Sequence, residues 1–213
     1  MGEEMSDGWD IAALARTDFA NMIDGLSPEQ LASPSLCEGW SVQDVAGHVV
    51  SFIELSLPAM MLSMAKAKFN VHDAWFANAQ KYGEQPASDI AKKIRDNASH
   101  PSAMKSFPAA ITTVDVGVHT QDIRRALGLE GTLDPQVVLE ALAFCTAHPK
   151  RKMMIPPDYI SGLRLEATDL DWSWGDGALV RGTGEAILMG INSRDVAADL
   201  EGDGVAQLPE VHA

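Results

Sequence analysis

The chain has too little cysteine, too little positive charge and too short a run of apolar residues for several broad classes of protein. Two cysteines in 213 residues, Cys37 and Cys145, do not make a disulfide framework and form no Cys-x-x-Cys pair. Each reads as a small buried hydrophobe. Lys and Arg number 16 against 30 Asp and Glu, a formal net charge of -14. Nucleic acid and anionic membranes both require the opposite, a basic surface, so neither is expected as a partner. No stretch approaches about 18 uninterrupted apolar residues, the length of a membrane span. The start, Met1-Gly2-Glu3-Glu4-Met5-Ser6-Asp7, is acidic where a secretory leader is basic and then apolar, so a cytoplasmic location is expected. The chain also lacks a phosphate loop, a Rossmann glycine fingerprint and a Gly-x-Ser-x-Gly elbow, which leaves nucleotide and serine-hydrolase chemistry without support. Internal repeats and low-complexity tracts are missing too. What is present is a composition 46% hydrophobic, enough for one large domain or two small ones with real cores.

Residues 7–26 carry apolar side chains at helical spacing (Ile11, Leu14, Phe19, Met22, Ile23) and stop at Gly25 and Ser27-Pro28, the first helix. After the loop Ala32-Ser33-Pro34-Ser35-Leu36 and Trp40, Ser41 with Asp44 has the spacing of a capping box. A second helix is expected from there toward about Lys68, with a kink or break at Pro58. Residues 69–80 read as a connector with some helical character and 88–97 as a third helix. A fourth starts at Pro108 and runs to Leu127, where Arg124, Arg125 and Gly128 favour a C-terminus. The first domain is expected to span 1–132 and the second 133–213. In the second, Pro135 to His148 reads as a helix, residues 163–167 and 179–181 as strands with a hairpin signal at Asp176-Gly177, and 184–189 and 194–200 as short helices. The fold class is α+β, a four-helix bundle followed by a small α+β domain.

Chemistry concentrates at His48, Asp115 and His119. Asp115 and His119 stand four apart, so a helix sets both on one face about one turn from each other. His48 lies on the second helix and supplies a third donor. Two imidazoles and a carboxylate with an open fourth position is the ligand set of a catalytic zinc, whereas a structural zinc is closed by four protein ligands. Taken singly each residue has a plainer role: His48 as a packed groove residue, Asp115 and His119 as a local surface pair. Asp122 suits either a partner orienting the His119 ring or a solvated helix face, and Asp44 suits the cap. His72, His100, His148 and His212 read as surface or packing residues. Trp40 reads as a staple at the start of the second helix, and Trp172 and Trp174 as one face of a sheet. The methionines near residues 60–64 read as core filler, or as an adaptable lining beside the metal.

Two segments carry a family resemblance. Leu36-Cys37-Glu38-Gly39-Trp40-Ser41-Val42-Gln43-Asp44-Val45-Ala46-Gly47-His48 resembles the Cys-x-Gly-Trp-(Ser/Thr)-x-x-Asp-x-x-x-His motif, and Asp115-Val116-Gly117-Val118-His119-Thr120-Gln121-Asp122 the Glu-x-x-x-His-x-x-Asp motif, of the actinobacterial mycothiol-dependent maleylpyruvate isomerase family. Residues 162–173 and 200–205 resemble its C-terminal domain. The resemblance implies a DinB-like four-helix bundle as N-terminal domain, with His48, Asp115 and His119 binding a divalent metal, usually zinc. Asp115 stands where the family has Glu, one methylene shorter, so the helices must approach more closely or hold metal less tightly.

The same resemblance names mycothiol as a thiol cofactor, with a small-molecule substrate beside it. Metal coordination lowers a thiol's pKa and makes a nucleophile at neutral pH without a protein base. Addition to an activated double bond, rotation and elimination would isomerise it, while displacement would give transfer. Arg124, Arg125, Arg164 and Arg181 are candidate clamps for a carboxylate by type alone, and no residue is assigned a catalytic role. Two other readings stay open: metal-assisted hydrolysis with Asp44 or Asp122 as base, and a non-catalytic metal- or ligand-binding protein of this fold.

Overall fold

A computed structural model of the chain describes residues 8–100 and 107–209. Its first helix, α1 (Trp9–Asp24), buries the stripe Ala12, Ala15, Phe19, Ala20 and Ile23, the i, i+3, i+4 spacing of an amphipathic helix. A short α2 (Pro28–Leu31) follows. The long helix expected from Ser41 is two helices, α3 (Val42–Glu54) and α4 (Leu57–Lys66). The break falls before Pro58: Leu55 is extended, Ser56 caps α4, and the proline sits in the first turn, where its missing N–H costs nothing. The expected connector is largely a helix, α5 (Val71–Gly83), capped by Asn70. Its buried residues are Ala74, Asn78, Ala79 and Gly83, too small or polar to leave a hydrophobic stripe in the sequence. Next come α6 (Ala87–Asp96) and α7 (Ala109–Leu127), which ends on Gly128 in the left-handed region at φ 62°.

Helices α3 and α5 approach each other closely through glycine. A Cβ added at Gly47 would stand 2.1 Å from the Ala79 carbonyl oxygen and 2.4 Å from the Gly83 nitrogen, both backbone atoms with no rotamer to yield. Gly47→Ala is therefore expected to destabilise the fold by about 2–3 kcal/mol, the upper part of the usual overpacking range, measured as a drop in denaturant midpoint at unchanged slope.

The remainder is built from α8 (Pro135–Ala147), strands β1 (Leu163–Ala167), β2 (Ser173–Gly175) and β3 (Ala178–Gly182), and α9 (Gly184–Ile191). The sheet order is β2-β1-β3: β1 pairs antiparallel with β2 and parallel with β3. The hairpin thus joins β1 to Ser173–Gly175, and the strand at 178–182 runs parallel to β1. Asp176-Gly177 carries the chain across the end of β1 instead of pairing the strands it joins. A Cβ at Gly177 would lie 1.8 Å from the Gly162 oxygen, a crossing only glycine permits. Of 194–200, only Ala197–Asp199 is helical, as one 3-10 turn.

Two apolar cores share α7. Val116 and Ile123 face the core of α1, α3, α5 and α6, while Ile111, Val114 and Val118 face the core of α8, the sheet and α9. The α7 helix is consequently buried nearly all round. Among the described residues, no helix is long and apolar enough to cross a membrane.

Candidate metal centre

The capping box predicted at the start of α3 forms: Ser41 Oγ accepts from the Asp44 amide, and the Asp44 carboxylate accepts from the Ser41 amide at 2.9 Å. It fixes the register that points His48 inward, one turn on from Asp44. On α7, Asp115, His119 and Asp122 share one face at i, i+4 and i+7. The His48 Nε2 lies 3.4 Å from Asp115 Oδ1, and the His119 Nε2 lies 3.7 Å from the same oxygen. One donor atom from each of the three lies within 4.8 Å of the others. Tetrahedral ligands at zinc bond lengths stand about 3.3 Å apart, so the set fits an ion after small side-chain adjustments.

Asp122 is fully buried and saturated. Its Oδ2 accepts from His119 Nδ1 at 2.9 Å, from Arg194 at 2.7 Å and from the Cys37 thiol at 3.2 Å, and its Oδ1 accepts from Arg194 Nε at 2.9 Å. Of the two readings open for Asp122, the solvated face is excluded. Its carboxylate holds the proton on Nδ1 of His119, leaving the Nε2 lone pair directed at Asp115 and His48, as in a carboxylate–histidine–metal relay.

Charge in the site is balanced around these contacts. Burial opposes ionisation of Asp122, yet His119 and Arg194 hold its carboxyl far below the ordinary value. Burial likewise works against Asp115, and His48, His119 and Arg194 outweigh it to keep the carboxyl low. Burial pushes His48 down, toward the neutral imidazole a metal needs. Burial would also lower His119, but Cys37, Asp122 and Asp115 hold it well above 6.5. The pocket of Asp115 and Asp122 thus favours positive charge on the Nε2 side of His119, which a proton or a divalent cation would supply. His48 Nδ1, also buried, finds no hydrogen-bond partner among the described residues.

A second set of donors, Cys37, His119 and Asp122, is equally close-set. There the cation is already part of the protein: Arg194 bridges Asp122 and Cys37, 3.8 Å from the sulfur. The first set opens on a cavity of about 540 Å³ lined also by Trp40, Phe52, Trp75 and Ile111, so it is the one a ligand reaches.

Several residues stand elsewhere than expected. Arg124 pairs with Asp18, Arg125 with Glu185 and Asp199, Arg164 with Glu166, and Arg181 with Glu166 and Glu201. All four candidate clamps are tied into ion pairs with carboxylates of the chain. Among the described residues, the arginines that line the cavity are Arg16 and Arg194. Arg16 lies on the buried stripe of α1, where a cation among apolar positions was a readable signal. Arg194 follows the strained Ser193 (φ 64°) in a segment without pattern, and nothing in the sequence marks it. Cys37 belongs to the polar cluster and is only half-buried, whereas Cys145 is the inert hydrophobe expected, its thiol pushed up to about 12 by burial. Asp44 caps α3, and Trp40 packs edge-on to His48 at 5.3 Å. His72 reaches the cavity rim, His148 stacks on Phe144, and His212 lies outside the described residues.

The fold and site together define a class: a helical domain joined to a small α+β domain, with a His, Asp, His centre opening on a cavity at the join. Residues 12–103 match the family model described as the mycothiol maleylpyruvate isomerase N-terminal domain. Two solved structures share the fold over 96% of the chain. One is a mycothiol-dependent maleylpyruvate isomerase, 14% identical, with a TM-score of 0.55, covering 96% of this chain and 94% of that one. The other is a histidine-to-alanine variant of such an isomerase, with the same identity and coverage and a TM-score of 0.59. Among curated protein sequences none matches the chain.

Proposed function

We propose that the chain is a mycothiol-dependent isomerase or S-transferase in which His48, Asp115 and His119 hold a divalent metal ion, zinc by ligand type. The observation that carries this reading is the convergence of three donor atoms within 4.8 Å on the floor of an open cavity, with Asp122 fixing the tautomer of one of them. A zinc ion there supplies a Lewis acid that keeps the cofactor's sulfur ionised at neutral pH. The chain does the rest. Burial keeps His48 neutral, Arg194 keeps Asp122 ionised, and Asp122 keeps the proton of His119 on Nδ1. The aromatic side of the cavity excludes water that would compete with the sulfur.

Mycothiol bound there would supply a nucleophilic sulfur, able to isomerise an activated cis alkene by reversible addition or to displace a leaving group, while His48, Asp115 and His119 would hold the metal and Asp122 would orient His119. Hydrolysis is the weaker reading, because Asp44 is committed to its cap and Asp122 to four donors, so neither is a free base.

The test is turnover of a cis alkene with metal and mycothiol supplied separately and together; reaction only with both supports the reading. Turnover without thiol would favour a hydrolase or simple Lewis-acid enzyme, and metal binding with no thiol binding a non-catalytic protein. Asp115→Asn keeps the shape and removes the charge, and is expected to weaken zinc binding at least about tenfold, measured by competition with a chromogenic chelator.

A further inference from the structure

The cavity that meets the triad is apolar on its free side, and of its two arginines among the described residues one is fully paired and the other 2% exposed. Phe52 and Trp75 lie ring to ring at 5.1 Å, and both stand over His48, at 4.9 and 6.4 Å. Met60, Met153 and Met154 continue this surface toward solvent, with Met153 49% exposed. Flexible thioethers beside two aromatic rings form an adaptable wall for a flat apolar body.

Among the described lining residues the only arginines are Arg16 and Arg194, and there is no lysine. Every nitrogen of the Arg194 guanidinium has a protein partner: Nε and one terminal nitrogen on Asp122, the other on the Asn192 carbonyl at 2.8 Å. Arg16 is 2% exposed, and one of its nitrogens donates to the carbonyls of Asn97, Ala98 and His100 at 3.2, 3.0 and 2.8 Å. Its guanidinium lies 5.6 Å from the Trp9 ring centre. A substrate with two carboxylates would meet here, among the described lining residues, one arginine fully paired, one 2% exposed, and the opposing Asp115 carboxylate.

Resting on the proposed function, we infer that the electrophile taken by this site is an uncharged, aryl-sized alkene activated by a carbonyl group, and not a dicarboxylate. The step is redox-neutral: the C–S bond forms at the β-carbon as the electron pair moves to the carbonyl oxygen, and after rotation the pair returns and the thiolate leaves.

The test compares cis-dibenzoylethylene with maleylpyruvate, each rate divided by its rate with free mycothiol. Metal-loaded protein with mycothiol is expected to accelerate the neutral enedione at least about tenfold more than the diacid. Phe52→Ala with Trp75→Ala should reduce that acceleration about 10- to 100-fold, with metal content unchanged. Calorimetric titration of the saturated analogues gives a readout independent of turnover: dibenzoylethane should bind, and succinate should not compete. If maleylpyruvate is isomerised and the enedione is not, or if succinate binds more tightly, the inference falls while the thiol-dependent reading stands. If neither alkene is turned over with metal and mycothiol present, both fall.

Discussion

His119→Ala is expected to lose its metal and to lower mycothiol-dependent turnover on the order of a thousandfold or more, the loss typical of removing a principal electrostatic element of a site. The residue is pivotal because its two nitrogens serve different networks. Nε2 faces Asp115 at 3.7 Å, and Nδ1 is held by Asp122 at 2.9 Å. Alanine removes a proposed ligand and cuts the tie between the triad and its orienting carboxylate. His48→Ala removes a proposed ligand alone, so it should lose metal comparably but leave the Asp122–Arg194 pair intact. Metal content by elemental mass spectrometry, with turnover and unfolding on the same preparations, separates the two. A His119→Ala protein that retains a full equivalent of zinc would place the metal elsewhere.

Asp122→Ala is expected to be the most destabilising of the polar substitutions, by about 3–5 kcal/mol, because it strands the Arg194 guanidinium in the protein without its counter-charge. The carboxylate is 0% exposed and receives four hydrogen bonds, so removing it unpairs several donors at once. The effect has a pH signature. The folded-state pKa of Asp122 lies below its ordinary value of 3.8, so the stability it contributes is fully present above that value. It is lost as pH falls through the folded-state value. Metal-free wild type should therefore lose stability as pH is lowered below about 4, with a steeper slope than Asp122→Ala. Equal slopes in denaturant titrations across that range would remove Asp122 from its role as the charge that holds the site together.

The readable parts of the chain were those where local chemistry and periodicity agree. The Ser41–Asp44 box, the stripe of α1 and the Gly128 stop of α7 each rest on residues within a few positions of one another, and the structure has all three. That the i, i+4 pair on α7 shares one face was legible from helical spacing alone, and the structure brings the histidine of α3 to it. Tertiary packing decided what was not legible. Helix α5 packs through alanine, asparagine and glycine, a seam whose signal is closeness of approach and not hydrophobicity. The parallel pairing of β1 with β3 depends on a glycine crossing that local turn preferences do not encode. Arg194 and Cys37 meet Asp122 from distant segments, 157 positions apart along the chain, and no short-range pattern announces a contact of that length. The arginines chosen by type were drawn off by nearby acids, as a chain with 30 acidic residues against 16 basic ones makes common.

Cobalt substitution combined with mycothiol titration tests the central claim most directly, because cobalt in a nitrogen and oxygen site gains near-ultraviolet charge-transfer absorption only when sulfur joins it. The account predicts that band on adding mycothiol to cobalt-loaded wild type, saturating at one equivalent, and its absence in His48→Ala and His119→Ala. Cobalt bound by His48, Asp115 and His119 with no sulfur band at saturating mycothiol would contradict it.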